Sequence, residues 1–154
     1  MRIVLPLVLL LAVAPLGPAA VSAGAPTVEQ PAKGTALRKE LLDAARPVFE
    51  RELGAPVEFA VTTLNVMNGW AYGNVRPQRP GGKPIDWRRT KFADAFNEGM
   101  FEADVSLFLL QETAAGWQLV EYAIGPTDVA WDWWRSQRNL PYELFGASAQ
   151  DFAQ

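Results

Sequence analysis

The segment DVSLFLLQETAAGWQLVEYAI, residues 104–124, constrains the fold more than any other part of the chain. Two apolar runs flank a short loop that contains glycine, a pattern that predicts a β-hairpin. If Thr113 to Gly116 form the loop, Glu112 lies opposite Trp117, and the pairing then decides which side chains share a face.

Both faces of this predicted hairpin are largely apolar. One face carries Val105, Leu107, Leu109, Val120, Tyr122 and Ile124, and the other carries Ser106, Phe108, Leu110, Trp117, Leu119, Ala123, Glu112 and Glu121. Strands that are apolar on both faces are typical of the centre of a covered sheet. We therefore expect a cover on the second face as well, formed by another segment, a ligand or a second copy in a homodimer.

Three more elements follow from periodicity. Apolar residues recur at steps of three and four between Thr35, a suitable helix cap, and Gly54, a suitable end, so this segment predicts an amphipathic helix. Pro47 inside it predicts a bend near Arg46 or a split into two helices. Alternation on both sides of Asn68-Gly69 predicts a second hairpin, with strands near 57–67 and 70–77.

The region between the hairpins has little regular pattern. Prolines and glycines in 78–89 indicate an exposed loop, and Thr90 to Gly99 favours a short helix. Together the elements favour an α+β domain over residues 35–145. In it, an N-terminal helix and a C-terminal tryptophan-rich helix pack on a four-stranded antiparallel sheet made of two hairpins.

Both ends of the chain lie outside that predicted domain. Arg2, the apolar run Ile3 to Ala14 and the small residues Val21-Ser22-Ala23 resemble an export signal, so residues 1–23 predict a signal peptide. The apolar run is shorter than the about 20 residues that span a bilayer, which argues against the alternative of a membrane anchor. We expect a flexible leader over 24–34, a frayed tail over 146–154, and a periplasmic or secreted protein with no membrane span after cleavage.

Composition excludes several chemistries. The chain has no histidine and no cysteine. Catalysis by a serine or cysteine paired with histidine is therefore impossible, disulfides cannot form, and the usual zinc ligands are missing. No calcium-loop spacing of carboxylates occurs either. We expect no metal and no cofactor, and the net charge of −3 argues against nucleic acid as a partner.

Three residues could carry acid–base chemistry. Glu121 lies in an apolar stripe of the second hairpin, where burial would make it a general acid or base, with Asp128 as the other candidate. Tyr122 would then donate a hydrogen bond to a small molecule. The alternative, which we favour, is that Glu121 points to solvent or is paired with an arginine.

The segment from Arg76 to Lys91 is strongly basic. It contains six basic residues and a single acid, Asp86. Arg88 and Arg89 could bind an anionic ligand, with Trp87 stacking beside them. The alternative is a solvated loop, because runs of charge usually serve solubility.

The stretch IGPTDVAWDWWR contains three of the six tryptophans. Gly125-Pro126 ends the preceding strand, Thr127 or Asp128 could cap a helix, and Asn139 could end it. At about 100° per residue, Trp134 lies near the centre of a wide apolar arc, which predicts a core position. Trp131 and Trp133 lie at the two rims of that arc, where an indole could pack against neighbouring loops, which we favour, or bind a partner.

The segments GWAY at 69–72 and GWQLVEYAIGPTDVAW at 116–131 resemble a group of small exported proteobacterial proteins of unknown function. That resemblance implies export and no particular activity. The order of elements is also similar, loosely, to the cystatin-like and NTF2-like α+β folds, which host enzymes and binding modules alike.

These observations predict an exported, non-catalytic binding or protein-interaction domain. Its partner would be a protein or a cell-envelope ligand, met through Trp117 on the second sheet face or through a rim tryptophan. The alternative is a cofactor-free enzyme of the small α+β cone type that uses Glu121 or Asp128.

Overall fold

A computed structural model describes residues 27–152. The predicted signal peptide and the first residues of the predicted leader lie outside the described residues. In chain order the helices and strands are α1 (Ala36–Leu53), β1 (Glu58–Met67), β2 (Trp70–Gln78), α2 (Ala93–Asn97), β3 (Ser106–Thr113), β4 (Gly116–Ile124) and α3 (Ala130–Arg138). The strands form one antiparallel sheet in the order β1-β2-β3-β4, which confirms the predicted α+β class.

Helix α1 covers one face of the sheet. It begins where the hydroxyl of Thr35 accepts a hydrogen bond from the backbone N–H of Arg38 at 3.3 Å, as predicted, and it ends at Gly54, whose φ is 78°. The helix runs without interruption through Pro47, so the predicted alternative of two separate helices is wrong. Its buried stripe consists of Leu41, Ala45, Phe49 and Leu53, residues that recur every fourth position and so share one side of the helix.

A separate hydrophobic core fills each face of the sheet. The stripe of α1 packs on buried side chains of β1, β2 and β3, namely Leu64, Ala71, Val75, Phe108 and Leu110. On the opposite face, Trp134 of α3 and the segment after it pack on buried side chains of the strands, namely Met67, Tyr72, Leu107 and Leu109. The second face of the predicted hairpin, which carries Phe108 and Leu110, is therefore covered by α1, a segment of the chain itself. The sequence left open a homodimer through this face, but the side chains of the central strands that a second copy would contact are already buried within the chain.

The hairpin of β3 and β4 contains a β-bulge. Glu112 lies opposite Trp117, as predicted, but Leu110 pairs with Leu119 while Leu109 pairs with Glu121, so Val120 is an extra residue. An extra residue reverses which way all later side chains of its strand point. The predicted faces are consequently wrong after Val120. Tyr122 and Ile124 lie on the α1 face, whereas Glu121 and Ala123 lie on the α3 face.

The segment that precedes α1 contacts the sheet. Glu29 exchanges two backbone hydrogen bonds with Val66 on the outer edge of β1, at 2.9 and 2.8 Å. Beside this bridge, the buried amide of Asn65 accepts a hydrogen bond from Gln30 and donates one to the backbone carbonyl of Leu144. One polar side chain thus joins β1 to both ends of the described chain, although the sequence places Glu29 and Gln30 in a mobile leader.

Residues 79–103 close the end of the α1 core. The short helix α2 confirms the predicted helix in 90–99, although it is only five residues long. Four aromatic side chains pack against one another around it, with ring centroids 4.7 to 6.4 Å apart: Trp87, Phe92, Phe96 and Phe101. The predicted exposed loop is therefore partly a piece of core.

The contact between Gly73 and Phe108 yields a testable prediction. A Cβ atom at position 73 would overlap the far edge of the Phe108 ring. We expect Gly73→Ala to lower the free energy of unfolding by about 1 to 3 kcal/mol through overpacking, measured by urea denaturation.

The control for this prediction is Phe108→Leu, because leucine lacks the ring atoms that approach Gly73. In the double variant, Gly73→Ala should cost about 1 kcal/mol less than it does alone. Strictly additive losses would contradict the predicted overlap.

Candidate functional site

The three tryptophans of α3 have different environments. Trp134 is 5 % exposed in the second core, which confirms its predicted core position. The helix ends at Asn139, as predicted, in a left-handed conformation with φ of 50°. Its first residue follows Val129, and no side chain caps it, so the predicted cap by Thr127 or Asp128 is wrong.

Trp131 packs within its own chain. Its ring stacks on Phe145 with centroids 5.2 Å apart, and the rings of Tyr142 and Phe152 meet it edge-on. Tyr142 itself lies between the guanidinium of Arg135, 3.9 Å from its centroid, and the stacked ring of Phe152. Trp131 therefore belongs to an aromatic cluster formed within the chain, whose member Phe152, from the predicted frayed tail, is 46 % exposed.

Trp133 is the most exposed tryptophan of α3. Its side chain is 66 % exposed, and Val129, four residues earlier and immediately before the helix, is 52 % exposed. A large apolar side chain projecting from a rigid helix has the shape of an interface anchor. Trp133 and Val129, which we call the Trp133 patch, are the best candidate for contact with a partner.

The three residues of the predicted acid–base site do not come together. Glu121 pairs with Arg138 at 2.6 Å, which confirms the alternative that we favoured. Because consecutive residues of a strand point to opposite faces, Tyr122 lies across the sheet from Glu121. Asp128 is exposed in the loop before α3. The geometry offers these three groups no common substrate.

Tyr122 instead joins a polar network that the sequence did not predict. Its hydroxyl donates a hydrogen bond of 3.0 Å to the carboxylate of Glu52, at the end of α1, which also pairs with Lys91 and with Arg51. The side chain of Glu52 is 9 % exposed beneath these groups. Hydrogen bonds from Lys91 above all, then from Arg51 and Tyr122, lower the pKa of Glu52 to about 2 against the opposing effect of burial. The network ties α1 to β4 and to the basic segment.

The basic segment uses much of its charge inside the domain. Arg79 donates to the carbonyls of Leu53, Gly54 and Pro56, which neutralises the open end of α1. Lys91 binds Glu52, Arg76 lies 3.7 Å from Asp104, and Arg88 lies over the ring of Phe96. These partners favour a structural role for most of these cations, whereas the side chain of Arg89 is exposed.

Two other tryptophans predicted to bind a partner lie against the α1 core. Trp87 is 7 % exposed, so the prediction that it offers a stacking surface is wrong, because Phe92 and Phe101 already enclose it. Trp117 is half-buried and packs against the same core. Neither indole projects in the way that Trp133 does.

Within residues 27–152, no helix is both long and apolar enough to cross a membrane, and no group of three or more potential ligand residues could hold a metal ion. Comparison of the chain with protein-family models, with curated proteins and with solved structures found no match in any of the three.

The Glu52 network predicts a specific dependence of stability on pH. Because the pKa of Glu52 in the folded state, about 2, lies below its usual value of 4.5, its ionised form stabilises the fold above that usual value. This contribution is lost as the pH falls from 4.5 toward 2. We expect Glu52→Gln to be less stable than the unsubstituted protein near neutral pH, with the difference shrinking steadily over this acidic range.

Urea denaturation at a series of pH values measures that difference. Glu40→Gln, an exposed carboxylate on the same helix, is the matched control and should show a small difference at every pH. A destabilisation by Glu52→Gln that stays constant down to pH 2 would contradict the assigned role.

The unequal burial of adjacent tryptophans predicts unequal costs of truncation. Trp134→Ala should lower the free energy of unfolding by about 3 to 5 kcal/mol, because it leaves a large cavity in the second core. Trp133→Ala should change it by less than about 0.5 kcal/mol. Equal losses in chemical denaturation would show that both indoles pack inside the fold.

Proposed function

We propose that this protein is an exported, non-catalytic interaction domain that binds another protein through the Trp133 patch. The observation that carries the proposal is the 66 % exposure of Trp133 on a helix whose other two tryptophans pack within the chain. Burying an indole stabilises a complex strongly, whereas leaving it in water gives the free domain nothing.

The surroundings of the patch support an anchor role. Helix α3 is fixed to the sheet by Trp134 and by the ion pair of Arg138 with Glu121, so the backbone that presents Trp133 is held in place. An anchor that is already ordered loses little conformational entropy on binding. The expected partner is a protein with an apolar pocket that accepts the indole together with Val129.

Export is part of the proposal and is supported by the first residues of the sequence. A charged start, a short apolar run and small residues near position 23 are the pattern that signal peptidases process. A protein that lacks cysteine needs no disulfide chemistry outside the cytoplasm, so its folding is compatible with that destination.

Binding by truncation variants tests the proposal. The unsubstituted domain and the variants Trp133→Ala and Gln137→Ala are compared in affinity capture from envelope fractions. For each captured protein, the dissociation constant is then measured with purified components. Gln137 is the matched control, because it is exposed on the same helix one turn later.

The expected result is a protein that the unsubstituted domain and Gln137→Ala bind equally well, and that Trp133→Ala binds about 30-fold more weakly, as for an interface hot spot. If every captured protein binds Trp133→Ala as tightly as the unsubstituted domain, the patch is not the interface. Failure to capture any protein from the compartment in which the chain resides would also overturn the proposal.

A further inference from the structure

The outer edge of β1 is only partly paired. β1 lies at one edge of the sheet, and the neighbour on its outer side is the bridge between Glu29 and Val66. At the other end of the strand, Val57 is engaged by the side chains of Glu50 and Arg46. Between these points, residues 58–64 have no backbone partner on their outer side within the described part of the chain.

This unpaired edge opens into a groove. A cavity of about 280 Å³ has residues 61–64 of β1 as one wall and residues 30–33 with Arg38 as the other. A second cavity, of about 480 Å³, continues along the first half of α1 as far as Arg46. Both cavities are lined by Lys33 and Arg38, so they adjoin one another, and we call the two together the β1 groove.

The β1 groove is positively charged. Its walls contain four basic residues and one acid: Lys33, Arg38, Lys39, Arg46 and Asp43. Asp43 is shared between Lys39, at 2.5 Å, and Arg46, at 3.3 Å. Arg38 donates to the carbonyl of Pro31 at 3.0 Å. A neutral carbonyl leaves the charge of its guanidinium uncompensated, so the groove is cationic in a chain whose net charge is −3.

We propose that the β1 groove binds an extended acidic peptide that adds a strand to the outer edge of β1. The unpaired N–H and C=O groups of residues 58–64 would hydrogen-bond the peptide backbone, as in strand addition to other sheet edges. Carboxylates of the peptide would meet Lys33, Arg38 and Lys39. Glu29, which already pairs with Val66, shows the same mode of contact within the chain.

The unpaired backbone groups at the outer edge of β1 favour a peptide over other polyanions. A sulfated polysaccharide would use only the cations, whereas an extended peptide also satisfies the outward backbone groups. The groove belongs to α1 and β1, while the Trp133 patch belongs to α3 on the opposite face of the sheet. This proposal therefore does not rest on the Trp133 patch, and either one can fail alone.

A charge-reversal experiment tests the proposal. A short fluorescent oligoglutamate peptide is the probe, and its binding is measured by anisotropy at low ionic strength with Lys33→Glu/Lys39→Glu. The matched control is Arg76→Glu/Lys83→Glu, which makes the same change of charge at two exposed positions of the basic segment. Circular dichroism verifies the fold of each variant, and Lys33→Gln, a milder change before α1, serves if the double variant does not fold.

The expected result is binding that Lys33→Glu/Lys39→Glu weakens by at least about tenfold and the control by less than about twofold. The probe should also protect from hydrogen exchange the outward-facing backbone amides of 58–64, those that do not already bond to β2, and dextran sulfate should not. No binding of the probe, equal weakening by the control, or binding without protection of these amides would overturn the proposal. Equal protection by dextran sulfate would do so too, because it would show that charge alone is recognised.

Discussion

The burial of both faces of the β2–β3 pair is the constraint on which the rest of the structure depends. The run Ser106–Leu110 of β3 is buried at every position, so it offers no side to solvent. Its even-numbered side chains need α1, and Leu107 and Leu109 need α3 with the segment that follows it. Because Trp134 fills the second core and Trp131 stacks beside it, Trp133 is left to point outward.

Hydrogen bonds of polar side chains join these layers to one another. Asn65 ties β1 to the segment before α1 and to the segment after α3, while Glu52 ties the end of α1 to β4 through Tyr122. Arg79 satisfies the last carbonyls of α1. The basic segment looks like a ligand site in the sequence, but most of its cations form contacts within the domain. The cations of the β1 groove, in contrast, bind mainly to neutral carbonyls or share one acid.

The sequence predicts those elements of the fold in which apolar residues recur at a regular spacing. Periodicity and turn residues locate α1 and both hairpins, and the helical spacing in α3 identifies Trp134 as a core residue. These predictions succeed because alternation and helical spacing are local properties of the sequence. The bulge at Val120 leaves no such mark, since an extra apolar residue within an apolar strand looks like its neighbours. The faces of Glu121 and Tyr122 were consequently exchanged in the prediction.

Contacts between distant residues could not be predicted from local patterns. Tyr122 meets Glu52 across 70 positions of the chain. The helical spacing of α3 gives the directions of Trp131 and Trp133 but not the residues that lie next to them. The rings that pack against Trp131 come from later segments without a periodic pattern. The single bridge of Glu29 with Val66 is too short to produce a period, so the unpaired remainder of the β1 edge was also not foreseen.

The proposed function requires that the Trp133 patch contact a partner protein in the cell. Site-specific photo-crosslinking in the native host tests this contact. A benzophenone amino acid is placed at position 133 or, as the comparison, at position 40, an exposed position of α1. We expect a discrete crosslinked protein species from position 133 that is absent from position 40. The same species from both positions, or none from position 133, would contradict the proposed contact.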